Sequence, residues 1–146
     1  MEELYELRHY IEAGKYQEAL GLLAEMEEMS RDDKINRISS FMEVLLLHLI
    51  KQAAEQRTTR SSEVAIRNSL HQIVQINKRR KAGWYLTNAE LGAALQEAYE
   101  PALDTAALAA FGGKYTLEEI NSMINKAAII NSAFEKIVQP SEATSP

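Results

Sequence analysis

The residues able to do chemistry in this chain are few. There are three histidines, His9, His48 and His71. A zinc site needs three or four ligands, often with two histidines one helical turn apart. No such pair occurs. His48 and His71 fall near the middles of two adjacent predicted helices and could face each other, with Glu43 or Glu63 nearby. A partly buried histidine hydrogen-bonded to a neighbour is the plainer reading of each. Paired carboxylates occur at Glu2-Glu3, Glu27-Glu28, Asp32-Asp33 and Glu118-Glu119. They lie at helix starts or on polar faces, where capping and solvation account for them.

Nucleophilic chemistry fares no better. Cysteine is absent, which excludes a thiolate, a disulfide and a cysteine-ligated zinc in this sequence. There is neither Gly-x-Ser-x-Gly nor Ser-x-x-Lys. Gly112-Gly113-Lys114-Tyr115-Thr116 ends like a phosphate loop. It lacks the upstream glycine, the Lys-Thr adjacency and a preceding strand, so a helix stop followed by a new N-cap explains it. The expectation is a non-enzyme with no metal and no cofactor.

Positive charge is the stronger signal. Arg60, Arg67, His71 and Lys78 are separated by seven, four and seven residues, which places them along one face of a helix. Arg57, Arg79, Arg80 and Lys81 extend the charge at both ends, and Trp84 with Tyr85 follows directly. Cations beside aromatics can hold phosphates and stack bases. They also serve as a contact face for an acidic protein, and the plainer reading is a solvated face partly neutralised by the acidic N-terminal hairpin.

Net charge is −5 over 146 residues, but the charge is segregated. Residues 1–33 carry ten acids and three bases, residues 34–81 three acids and ten bases, and residues 82–146 eight acids and three bases. The pI of 5.3 argues against a dedicated nucleic-acid domain, which usually exceeds about 9. The acidic start is unlike a secretory signal. Phe41 to Ile50 is the longest apolar stretch, well short of the ~20 residues of a membrane span. A cytoplasmic protein with no membrane contact is expected.

The elements that must position these groups read as helices throughout. Leu4, Leu7 and Ile11 give a first helix over 2–12, ended by Gly14. Tyr16, Ala19, Leu20, Leu23 and Met26 give a second, to about Met29. Ser30-Arg31-Asp32-Asp33 reads as an N-cap with acids in the first turn, starting a third helix over about 31–56. Its middle is apolar nearly all round, which places it at the centre of the fold. Ser61 or Ser62 caps a fourth helix, ending in Lys78-Arg79-Arg80-Lys81 before Gly83. Thr87-Asn88-Ala89-Glu90 and Thr116-Leu117-Glu118-Glu119 are capping boxes opening a fifth and a sixth. Pro101 predicts a kink or break near Tyr99. The sixth helix extends, or restarts, after a polar patch at Asn125. No segment alternates with period two, so no sheet is expected. The prediction is an all-α, compact bundle of about six helices, one domain over 1–139 with a flexible tail over 140–146.

One stretch carries a likeness. Leu23-Ala24-Glu25-Met26-Glu27-Glu28-Met29-Ser30-Arg31 leads into Val44-Leu45-Leu46-Leu47-His48-Leu49-Ile50-Lys51, then Arg60-Ser61, Ile66-Arg67-Asn68-Ser69 and Ile73. Over Leu22–Ile76 the chain resembles a family of small bacterial helical proteins known as domain of unknown function number twenty-nine. The resemblance implies a helical bundle and no particular activity. The family usually has a tryptophan just after the Arg-Ser pair. Here that place is Ser62, and Trp84 is a candidate to fill the space.

The leading expectation is a non-enzymatic protein-interaction module, with an unidentified protein or a second copy of itself as partner. Its contact surface is the basic face of Arg57, Arg60, Arg67, His71, Lys78, Arg79, Arg80, Lys81 and Trp84. The alternative is a nucleic-acid-binding regulator or antitoxin-like protein using that face. An enzyme would have to rest on His48, His71 and nearby acids.

Overall fold

A computed structural model describes residues 2–78 and 83–143, with side chains through Val138. It contains six α-helices: α1 (Glu2–Glu12), α2 (Tyr16–Glu55), α3 (Arg60–Asn77), α4 (Asn88–Ala109), α5 (Leu117–Met123) and α6 (Lys126–Ala143). The described residues form no strand; Lys78 and Trp84 make one isolated antiparallel bridge. The all-α expectation holds. By packing the chain divides into two units, Met1–Ile35 and Asn36–Pro146.

The first unit is a helical hairpin. Gly14, at φ 74°, takes the left-handed conformation that glycine adopts without strain. Ala13 N donates to His9 O and Lys15 N to Tyr10 O, closing α1. The second and third predicted helices are one 40-residue helix. Ser30 therefore caps nothing. No proline or glycine interrupts Ala24–Asp33, and its Glu, Met and Ala are good helix formers. A potential N-cap begins a helix only where the preceding one has ended.

The core of the second unit is built on the remainder of α2. Ile38, Met42, Leu45, Leu46 and Ile50 are fully buried. Ile66 and Ile73 of α3 join them in the core, as do Leu91, Leu95 and Leu103 of α4, Ile120 of α5 and Ile137 of α6. α4 packs on α5 and α6, and α3 on α6. Both capping boxes form. Thr87 accepts from Glu90 N while Glu90 accepts from Thr87 N, and Thr116 and Glu119 repeat the exchange.

Other expectations shift for local reasons. Thr59, not Ser61 or Ser62, caps α3, accepting from Ser62 N at 3.1 Å. α3 stops at Asn77, whose side chain holds Leu86 by both its backbone groups, accepting from the N–H at 2.8 Å and donating to the carbonyl at 3.3 Å. Tyr85 N also donates to Asn77 O. α4 continues unbroken through Pro101, although the ring removes one backbone donor. α6 is a restart: Asn125 accepts from Ala128 N at 3.1 Å. It runs to Ala143, past the expected tail start at Pro140; residues 144–146 lie outside those described.

α4 ends in a left-handed turn through Phe111, Gly112 and Gly113. A Cβ on Gly113, at φ 79°, would sit 3.1 Å from Leu108 O. Gly113→Ala is expected to cost more than about 1 kcal/mol in unfolding free energy, through strain and close approach together. Urea denaturation reads this directly, and an unchanged midpoint would show that the turn yields freely.

Candidate functional site

α3 has two faces of opposite character. Ser62, Ile66, Ser69, Ile73, Ile76 and Asn77 are buried. Arg60, Arg67, His71 and Lys78 are exposed. At about 100° per residue these four fall within about 40° of one another, a ridge running the length of the helix. The separation follows from the period of the apolar positions, which turns the intervening polar residues outward. Among the described residues Arg60, Arg67 and Lys78 have no ion-pair partner.

The other residues of the expected basic face divide. Arg57 lies in the turn before α3, its Nε 3.7 Å from Glu55 Oε1. Glu55 is nearly buried there and also accepts from Phe111 N at 2.8 Å. Arg57 thus attends a structural carboxylate that holds the left-handed Phe111 in place, a role nothing in its sequence neighbourhood signals. Trp84 is half-buried, and its backbone is paired with Lys78. It stands at the far end of α3, about 22 Å along the helix from Ser62, so it does not fill the place beside the Arg-Ser pair. Arg79, Arg80 and Lys81 lie outside the described residues.

Beside the ridge an open cleft of about 670 Å³ lies between α2, α3 and α6. Leu49 and Ile66 form its apolar part. Gln52, Thr58, Glu63, Arg67, Ser132 and Lys136 surround it. Arg67 therefore belongs to both ridge and cleft, with Lys136 supplying a second cation.

The histidines do not converge. His48 Nδ1 and Ser62 Oγ share a hydrogen bond of 3.0 Å between α2 and α3. Nine residues on an α-helix amount to about half a turn net, so His71 projects from the opposite side of α3 to Ser62. Ser62 is buried, and neither it nor His48 lines the cleft. The pair pins one helix to another. No group of three or more histidine or acidic side chains among the described residues could hold a metal ion. No helix of the described residues is long and apolar enough to cross a membrane.

Burial, and secondarily the charge of Lys51, depresses the His48 pKa below its usual value. On unfolding the ring regains its ordinary proton affinity. The contribution of neutral His48 is therefore complete above about pH 6.5 and is lost as pH falls through the lower folded-state value. Between about pH 7.5 and 5, wild type should lose more stability than His48→Gln, as read from urea midpoints. Parallel pH profiles would show that His48 is not penalised by burial.

No curated protein and no solved structure matches the chain. The family described as Domain of unknown function DUF29 matches residues 15–134. That span exceeds the resembling stretch Leu22–Ile76 at both ends and takes in α2 through the first half of α6. The chain belongs to the DUF29 family.

Proposed function

We propose that this chain is a non-enzymatic interaction module whose α3 ridge receives an acidic protein partner. The observation that carries this reading is the row of exposed Arg60, Arg67, His71 and Lys78, whose arginines and lysine have no ion-pair partner among the described residues. A helix face so charged costs little while solvated and gains when matched by carboxylates. The adjoining cleft, with Arg67 and Lys136 on its rim, offers a place for an acidic side chain and for the apolar stem that carries it.

A protein suits the surface better than a nucleic acid. Glu63 stands in the same cleft as Arg67, and the whole chain is negative at −5. A continuous phosphate backbone meets both repulsions, while discrete carboxylates can avoid Glu63. We place the protein in the cytoplasm of a bacterial cell; a sequence free of cysteine suits a reducing compartment.

Poly-L-glutamate and random-sequence single- and double-stranded DNA are the probes. The reading expects binding to polyglutamate that weakens with salt and falls at least about tenfold in Arg60→Ala/Arg67→Ala, with DNA bound more weakly. Tighter DNA binding lost in the same variant would favour a nucleic-acid regulator instead. Binding to neither at low salt would remove the ridge as a contact surface.

A further inference from the structure

The N-terminal hairpin buries very little. Of its described residues only Ala19 is buried, and α1 has no buried residue. Yet Leu4, Ile11, Tyr16, Leu20 and Leu23 are large, apolar and between 39 and 64% exposed. On α2, Tyr16, Leu20 and Leu23 lie within about 60° of one another, and on α1 Leu4 and Ile11 lie within about 20°. The less exposed residues of this part of α2, Ala19, Leu22 and Met26, occupy a different sector. The two helices thus carry exposed apolar rows, which together make the hairpin's apolar stripe. A helix as short as α1, with no buried residue, is marginal in water.

We infer that this stripe is the seam of a homodimer, in which the hairpins of two copies pair to make a four-helix bundle. Size argues for it. A large side chain left about half exposed offers on the order of 100 Å², so the five residues supply roughly 500 Å² of apolar surface. A standard interface buries about 800 Å² per partner, a little over half of it non-polar. The stripe fits that requirement. Charge argues for the same occupant. Residues 1–33 are strongly acidic, which would oppose pairing if the acids lay in the seam. Glu18, Glu25 and Asp32 follow one another at seven-residue intervals on the side of α2 about 120–180° from Tyr16 and Leu20. Glu27 closes the stripe at its far end. The seam is apolar, and most of the repelling charge faces away from it. An isologous pairing of this kind closes on itself and leaves no stripe exposed.

The inference does not depend on the α3 ridge. Light scattering behind size exclusion, on the full chain at about 100 µM, should give twice the monomer mass of 16.4 kDa. Leu20→Glu/Leu23→Glu should shift the dissociation constant upward by at least about 100-fold and give monomer. Circular dichroism on the same sample should show the helical signal retained, since both positions are on the surface. Should that variant lose its helices, Leu20→Ser/Leu23→Ser provides the same reading without buried charge. Arg60→Ala/Arg67→Ala should remain dimeric, which separates this seam from the proposed partner surface. A wild-type monomer would overturn the inference, as would a dimer indifferent to both stripe variants or one lost only in the ridge variant.

Discussion

Burial of one helix segment holds the larger unit together. Ile38, Met42, Leu45, Leu46 and Ile50 on α2 lose all their solvent contact, and each such side chain is worth about 1.5–3 kcal/mol of transfer free energy. The polar fixings around it are individually smaller, near 1 kcal/mol. They act at the edges of the segment: His48 to Ser62 at its flank, and Glu55 to Phe111 N at its end. Because α2 needs company on most of its circumference, α3 must turn its apolar residues inward. That obligation pushes Arg60, Arg67, His71 and Lys78 to the outside. The ridge is a consequence of the core.

What could be read from the sequence was what is decided locally or by period. The two capping boxes need only residues three apart, so Thr87 and Thr116 announced themselves. The cationic face of α3 follows from spacing alone. Gly14 and Gly113 marked left-handed turns that the chain takes. The less legible features depend on partners distant in sequence. Ser30 has the chemistry of an N-cap, yet its segment stays helical because nothing ends the helix before it. Thr59, Ser61 and Ser62 are all eligible caps, and the contest is settled partly by His48, fourteen residues before Ser62, which takes that hydroxyl. Asn77 carries no local signal of its part in the fold. Its role in gripping Leu86 requires a chain reversal that only the folded state provides.

The facing arrangement that sequence position allowed His48 and His71 illustrates the same limit. Sequence position placed both near helix centres, but rotation about the helix axis decides which side each takes. Nine residues between Ser62 and His71 put them on opposite sides of α3. The aromatic Trp84 was similarly close to the cations in sequence. Its bridge to Lys78 instead makes it part of the turn that leads toward α4.

The proposed function divides labour within α3: one face serves the fold, and the other is proposed to receive a partner. The direct measurement is the unfolding free energy of Arg60→Ala/Arg67→Ala/His71→Ala/Lys78→Ala against wild type. Cations without structural duty predict a change within about 0.5 kcal/mol, as for surface substitutions away from special features. A loss of about 2 kcal/mol or more would mean that the ridge belongs to the fold, and would contradict the account.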